Sequence, residues 1–472
     1  MCPLLLRNSV RFMNRFVEVL RLAGPLTAAQ LAQTAMIFCD SILFGLLGVE
    51  ELAGAGLGSG IYNFFLIVVT GLLAAVASEV AIYVGRGAMQ DIARVVKAGL
   101  VLSVIVALAL VGIIMLMPGM LRLMGQTEAS IFYADQYLTM ASLIGFPAFA
   151  FLVLRGLATG MGRTTSIMRI SILAVVLNVP LSYVLMTGWG PAPAMGVPGA
   201  ALGTALVSLL MCGMLAADLW RYPEVRDVLQ SLRNVVLHKD DYKPFFTLGV
   251  SIALAWTMEA GLFTAATILA GTISVAALAA HQIALQTASM SFAVYIGFAQ
   301  GAAIKTGQSF GRNDFANVRH YTWAGLGVGM GFCLVAAFIF LVFPEWIVSL
   351  FTLGAEGTLD SDVQSLGVQI LFVAAFFQLV DGGQVIMMTA LRALRVGMPP
   401  TVVTIFCYWG VGFPVAWMLM GQYGIVGVWV GLGAGLGFAA LSLTIMFIRK
   451  VHELEQSTLS GTDLHIRPEP CV

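Results

Sequence analysis

Long apolar runs broken by short polar stretches dominate this chain. Cutting at polar, Gly and Pro punctuation leaves twelve runs near 20–47, 57–84, 97–117, 131–153, 166–187, 197–217, 247–270, 278–303, 321–343, 364–391, 400–420 and 425–448. Each reaches the roughly 20 residues that a bilayer-crossing helix needs. The pattern predicts an all-α integral membrane protein with twelve transmembrane helices. Composition agrees: 59% of the 472 residues are hydrophobic and only 10% are charged, with a mean hydropathy of +0.94. A soluble enzyme, a nucleic-acid binder and a secreted disulfide scaffold are excluded as readings of the whole chain.

The net charge is zero, so the distribution of charge carries the information. Short cytoplasmic loops are rich in Lys and Arg. With both termini cytoplasmic, the twelve-span count puts 23 of the 24 basic residues on one side, Arg122 being the exception. That side includes Arg86, Arg94 and Lys97, then Arg155, Arg163 and Arg169, and five residues between 218 and 246. The N-terminal residues show no cleavable leader pattern, and Met13 is an alternative start. The six cysteines are scattered singly, with no CxxC or Cys/His cluster to suggest a disulfide framework or a zinc site.

The longest polar connection, 218–246, halves the chain. The expected organisation is a cytoplasmic segment 1–19, a six-helix bundle 20–217, the linker 218–246, a second bundle 247–450 and a disordered cytoplasmic tail 451–472. An internal repeat supports two halves. At an offset of 226, Gly45, Gly85-Arg86 and Ala98-Gly99-Leu100 match Gly271, Gly311-Arg312 and Ala324-Gly325-Leu326. Leu154-Arg155 matches Leu391-Arg392 at 237, and Gly196-Val197-Pro198-Gly199 resembles Gly424-Ile425-Val426-Gly427 at 228. Six spans per half is even, so the repeat is parallel and pseudo-symmetric, an arrangement transporters use with a substrate path between the halves.

Charge inside a bilayer costs about 2.5 kcal/mol or more per residue, and three carboxylates fall inside spans: Asp40, Glu259 and Asp381. No intramembrane Lys or Arg stands beside them. Gln30, Gln33 and Asp40 share one face of the first span at spacings of three and seven. Gln378 and Gln384 flank Asp381. A desolvated carboxyl can hold a proton near neutrality, or stay ionised by binding Na+ or a cationic substrate. The repeat duplicates none of these acids, placing Ala266, Gln33 and Ile144 at the equivalents of Asp40, Glu259 and Asp381, so ion binding is expected to be asymmetric. Three structural acids hydrogen-bonded inside the bundle are the plainer alternative.

Other candidates are weaker. Glu79 and Lys305 are equivalent under the 226 offset and could close a cytoplasmic gate, although two charges snorkelling to the interface are the simpler reading. His281 is a proton relay or an interfacial hydrogen-bonding histidine. Gln282, Gln286 and Tyr295 are further cavity-lining candidates. Pro25, Pro147, Pro180 and Pro414 can kink their spans, with Asn178 a partner for freed backbone near Pro180. Phe263, Phe292, Tyr408 and Trp409 suit a greasy cavity or, by default, face lipid or pack. No Walker A, HExxH or GxSxG motif is present, so an enzyme is not expected and energy must come from an ion gradient.

Several segments carry a family resemblance. "GPLTAAQLAQTAMIFCDSILFGLLG" (24–48), "AALAAHQIALQ" (276–286) with Glu259 upstream, "GQSFGRND" (307–314) and "FFQLVDGGQVIMMTALRAL" (376–394) resemble the multidrug and toxic compound extrusion (MATE) transporters, and retention of Glu259 and Asp381 is most similar to the NorM-type bacterial branch. The resemblance implies a V-shaped cleft between two bundles and exchange of Na+ or H+ for small organic, often cationic, compounds. It implies coupling-cation binding at Glu259 and Asp381 and protonation or substrate release at Asp40. Expected partners are such substrates and the lipid of a bacterial inner membrane. Nucleic acid, an obligate protein partner and any cofactor beyond the coupling ion are not expected. Rival readings are a lipid or glycolipid flippase of the same superfamily, a metabolite transporter on this scaffold, and a channel or structural membrane protein. A flippase for anionic head groups should carry basic residues in its central cavity, and the spans place none there.

Overall fold

A computed structural model describes residues 2–45, 47–188, 194–351 and 358–459. The described residues are helical apart from short turns. Helix α1 spans Cys2–Gly45 and α2 covers Val49–Leu73 and, beyond a slight bend at Ala74, Ala75–Arg86. Next come α3 (Met89–Leu123), α4 (Glu128–Gly160), α5 (Thr164–Thr187) and α6 (Val197–Trp220). The second half holds α7 (Val250–Ile273), α8 (Val275–Gly311), α9 (Phe315–Val342) and α10 (Thr358–Ala393).

Among the described residues, eleven stretches are long and apolar enough to cross a membrane, and the last, Met398–Ser457, runs for 60 residues. At 1.5 Å per residue it would measure about 90 Å, far more than one bilayer. Its backbone leaves the helical region at Gly424 (φ 56°, ψ −136°). Residues 398–423 are therefore α11 and residues 425–459 are α12, giving twelve crossings. A π-helical stretch, Phe406–Gly412, lies within α11 just ahead of Pro414, whose ring and missing N–H disturb the preceding turn.

The boundaries differ from expectation at both ends. No break separates residues 2–19 from the first span, because nothing before Gly24 and Pro25 interrupts the helix and α1 continues through Pro25. Of the expected tail 451–472, residues up to Leu459 extend α12, and 460–472 lie outside the described residues. Parts of the loops 188–196 and 344–363 lie outside them too.

The repeat is visible in the backbone. Gly196 (φ 62°, ψ −135°) and Gly424 adopt the same conformation at the entry to α6 and α12. Gly87 and Asn313 share the left-handed region after α2 and α8, as do Gly162 and Arg395 after α4 and α10. The last pair corrects the 237 offset. The Ala158 carbonyl accepts from the Arg163 N–H as that of Leu391 does from Val396, which fixes the offset there at 233. Asp381 then falls on Ala148 instead of Ile144, still an apolar position.

Each half has its own apolar core. One runs from Leu26 to Leu219 with Val225 and Val228 of the linker, and takes in Phe245, Leu248, Ile252 and Ile304 where the second half packs on it; the other runs from Leu262 to Ala439. The halves meet where glycines remove side chains. A Cβ on Gly85 would strike the Gln308 carbonyl, and one on Gly311 would strike the Ile82 carbonyl. Those two contacts exchange under the 226 offset, as do Gly71 against Ala253 and Gly297 against Thr27. The exchange marks a pseudo-two-fold axis between α2 and α8, on the side of the molecule that bears the linker.

Candidate functional site

Above that crossing lies a cavity of about 660 Å³ walled by both halves. From the first half come Gln30 and Gln33 of α1, Thr70 and Ser78 of α2, and Arg155 of α4. The second half contributes Glu259 and Phe263 of α7, Gln286, Phe292 and Gln300 of α8, and Asp381, Gln384, Met388 and Arg392 of α10. Most of the wall is apolar, with few charged groups, as binding sites for amphipathic small molecules are.

The predicted carboxylates divide into two groups. Glu259 and Asp381 share the cavity wall and lie close enough to interact electrostatically. Asp381 is 3% exposed. Gly382 lets α10 approach α9, since a Cβ there would meet the Cys333 sulfur, and so brings Asp381 against α8, where the Tyr295 hydroxyl donates to Asp381 Oδ2. The other Asp381 oxygen, Oδ1, is buried without a protein hydrogen-bond partner, and so are the side-chain oxygens of Gln378 and Gln384. The Gln378 amide nitrogen is unpaired there too; the carboxylate and amide oxygens suit a hard cation, and unpaired buried polar atoms carry a cost until something fills them.

Asp40 is elsewhere. Seven residues, or about 10 Å, further along α1 than Gln33, it leaves the cavity wall and turns into the first half. There Thr204 Oγ1 lies 3.4 Å from Asp40 Oδ2 and receives Asn178 Nδ2 at 3.3 Å, and Asn178 also reaches Ser182. Asn178 thus serves this side-chain chain, not the backbone near Pro180. Tyr137 and Tyr62 are buried beside it.

Of the other candidates, Gln30, Gln33, Gln286 and Gln384 line the cavity, whereas Gln282, Tyr295 and Gln378 do not. Tyr295 and Gln378 are wholly buried behind Asp381, and Gln282, one turn before Gln286 on α8, is exposed beyond the cavity. His281 is also wholly buried. Its Nδ1 accepts from the Trp429 indole N–H at 3.2 Å, and Nε2 lies 3.0 Å from Thr267 Oγ1. With Nδ1 an acceptor, the proton belongs on Nε2, and the ring is a neutral packing element instead of an interfacial or relay group.

Glu79 and Lys305 do not pair. Glu79, 2% exposed, holds Arg395 through both carboxylate oxygens, with Arg395 Nε at 2.8 Å from Oε1, and Arg395 also lies over the Tyr83 ring. Lys305 pairs with Glu18 of α1 at 2.9 Å, and Tyr321 donates to the same carboxylate. The reason is geometric: equivalent positions face each other only at the crossing, and Glu79 and Lys305 lie six residues before Gly85 and Gly311, where α2 and α8 have parted. Both ion pairs still join one half to the other. Gln308 adds a third link, donating to the Gly160 carbonyl at 3.1 Å.

Two site residues escaped the sequence reading. Arg155 and Arg392 belong to the cavity wall, not to the loops, so the expectation of a cavity without basic residues is overturned. Arg392 interacts with Glu259. Arg155 Nη1 donates to Gln33 Oε1 at 3.0 Å and Nη2 to Gln30 Oε1.

Two six-helix halves around a pseudo-two-fold axis, with a central cavity and buried carboxylates, have the architecture of a membrane transporter. Comparison with known proteins places it further. The MatE family model matches residues 25–184 and 251–418, and the chain belongs to that family, in its NorM-type bacterial branch. It is 34% identical over 446 residues to a probable multidrug resistance protein NorM of Pseudomonas syringae pv. tomato, covering 94% of this chain and 96% of that one. It is 35% identical over 440 residues to a probable multidrug resistance protein NorM of Pseudomonas aeruginosa, covering 92% and 90%. Among solved structures, the outward-facing conformation of a multidrug resistance MATE family transporter of the MOP superfamily superposes with a TM-score of 0.85 at 19% identity, covering 94% of this chain and 97% of that one. A Vibrio cholerae MATE transporter superposes with a TM-score of 0.84 at 16% identity, covering 94% and 98%. At those identities the structures speak for the fold alone.

Proposed function

We propose that this chain is a secondary-active multidrug exporter of a bacterial inner membrane, with both termini cytoplasmic, that exchanges Na+ or H+ for organic, largely cationic compounds by alternating access. The observation that carries the reading is the pairing of Glu259 and Asp381 on the wall of a cavity shared by both halves, backed by buried oxygens that lack partners. Occupancy by a cation or by protons relieves the repulsion between the two carboxylates; an incoming organic cation relieves it equally, which makes the two ligands competitors. That competition is what an antiporter needs.

The halves are latched on the linker side by Glu79–Arg395 and Glu18–Lys305 and by the glycine crossing at Gly85 and Gly311. With the linker cytoplasmic, this is a state closed to the cytoplasm. Coupling then requires that filling of the carboxylate site and opening of the latch be linked through α10, which carries Asp381 and Arg392 and leads directly into Arg395.

The test is ethidium movement in proteoliposomes under an imposed Na+ gradient and, separately, an imposed pH gradient, with Asp381→Asn as control. Asp381-dependent movement under either gradient is expected and identifies the ion. Absence of movement under both would overturn the exporter reading and turn attention to lipid movement, which the two cavity guanidiniums make chemically reasonable.

A further inference from the structure

The cavity is not simply acidic. Its charged groups are Glu259, Asp381 and Arg392 on the second half's wall and Arg155 alone on the first half's wall. Arg392 feels the charge of Glu259, although no salt bridge among the described residues joins them. Arg155 feels no such charge, and no carboxylate among the described residues lies within salt-bridge distance of it. Two glutamine amide oxygens hold one hydrogen on each of its terminal nitrogens, which leaves three of the five guanidinium donors without a described protein partner. A half-buried guanidinium on a largely apolar wall, with no counter-ion, carries a cost of partial desolvation. Gln30 and Gln33, one turn apart on α1, fix the orientation of the fork without neutralising it. The arrangement is that of a receptor waiting for an anion, since a planar fork matches a carboxylate or phosphate in two parallel hydrogen bonds.

From this we infer that Arg155, oriented by Gln30 and Gln33, is an anion-recognition subsite, and that it selects zwitterionic amphiphiles. Such a compound would place its carboxylate on Arg155 and its cationic end toward Glu259 and Asp381 across the cavity. The inference rests on the exporter reading for its setting but concerns recognition, so it can be tested by binding alone. Gln30 and Gln33 thereby become positioning residues for the guanidinium instead of direct ligands of the drug.

The probe is a matched pair of dyes, a rhodamine with a free carboxylate and its methyl ester, the first a zwitterion and the second a cation. Equilibrium binding to the purified full chain is read by fluorescence anisotropy, with export of each dye from proteoliposomes read in parallel. Wild-type protein should prefer the acid. Arg155→Gln should lower the acid-over-ester affinity ratio by about tenfold, the size expected for losing charge-assisted hydrogen bonds, while ester binding stays within about twofold. Arg155→Lys, which keeps the charge and loses the fork, should fall between the two. Thermal unfolding of each variant checks that the fold is kept.

A wild-type protein with no preference for the acid, or an Arg155→Gln variant that loses both dyes equally, would overturn the subsite and leave the exporter reading standing. Acid-selective, Arg155-dependent binding with no export under any gradient would have the opposite consequence. The same guanidinium could meet a lipid phosphate. Arg155-dependent movement of fluorescent phosphatidylethanolamine between leaflets, without acid preference among the dyes, would assign it to a headgroup and overturn the inference.

Discussion

The two halves share a scaffold down to individual turn conformations, yet they bury different polar chemistry. In the first half one carboxylate, Asp40, ends a chain of neutral groups formed by Thr204, Asn178 and Ser182, apart from Glu79 in its ion pair. In the second, two carboxylates face one cavity together with Gln384, and Tyr295 and Gln378 are buried behind Asp381. A lone carboxyl among hydroxyls and amides is equipped to exchange one proton. A carboxylate pair with spare amide oxygens is equipped to hold a cation. On the exporter reading, the symmetry would supply two interchangeable arrangements of the bundles, and the asymmetry the ligand that chooses between them. Duplicated chemistry would make both arrangements respond alike to the ion, and no net coupling would result.

The strongest way to break this comparison is to neutralise each carboxylate in turn. Asp381→Asn and Glu259→Gln should insert normally and lose gradient-driven dye export, falling to the leak of empty liposomes. Asp40→Asn, which removes a charge but leaves the neutral chain beside it, should retain measurable export with a changed dependence on pH. Where Na+ is the coupling ion, its protection of the purified protein against thermal unfolding should vanish in Asp381→Asn and persist in Asp40→Asn. Equal loss of both export and Na+ protection in all three variants would mean that the carboxylates act as one network and that the division between halves is wrong.

The latch gives a smaller effect. Glu79 is almost fully buried against Arg395, and removing one partner of a buried pair costs about 3–5 kcal/mol. Glu18–Lys305 is partly exposed, and pairs of that kind are worth about 0.2–1 kcal/mol. Glu79→Gln should therefore favour opening on the linker side far more than Glu18→Gln does. In a background with the native cysteines replaced, a reporter at Ser78→Cys, on the cavity wall, reads this by its rate of labelling with an impermeant maleimide from the linker side. Acceleration by Glu79→Gln of at least tenfold, against less than about threefold for Glu18→Gln, is expected; equal rates would show that the glycine crossing alone holds the gate.

The buried acids were legible in the sequence because one charge inside twenty apolar residues stands out against its surroundings. The repeat was legible through Gly85-Arg86 and Gly196 for a related reason: close crossings and special backbone angles demand glycine. Arg155 and Arg392 were not read correctly because basic residues near helix ends are taken for loop residues under the charge rule, and long helices defeat that rule. Helix α4 has 33 residues and α10 has 36, each about 50 Å, so residues near their ends can still lie beside the cavity. A signal existed. In "FLVLRGLATG" Arg155 is enclosed by apolar residues, and the helix stops only at Gly160. The partners of Glu79 and Lys305 escaped because a repeat offset identifies equivalent positions, and equivalence is not contact. The neutral state of His281 depends on Trp429, 148 residues away, a relation no local pattern carries.

The subtlest test concerns the scaffold itself. Gly196 and Gly424 sit at φ near +60° with ψ near −135°, a region that side-chain-bearing residues avoid at a cost of about 1–3 kcal/mol. A Cβ at either position meets nothing within 4 Å, so the cost of an alanine there is backbone strain without steric overlap. In both halves the glycine begins a helix whose next glycine packs on the preceding helix, Gly199 against the Leu185 carbonyl and Gly427 against that of Leu419. Gly196→Ala and Gly424→Ala should then lower the midpoint of thermal unfolding by the same small amount, within about a degree of each other, and leave Na+ protection unchanged. A loss confined to one variant would show that the two helix entries differ in load despite matching in angle, and the equivalence of the halves would have to be restricted to their shape.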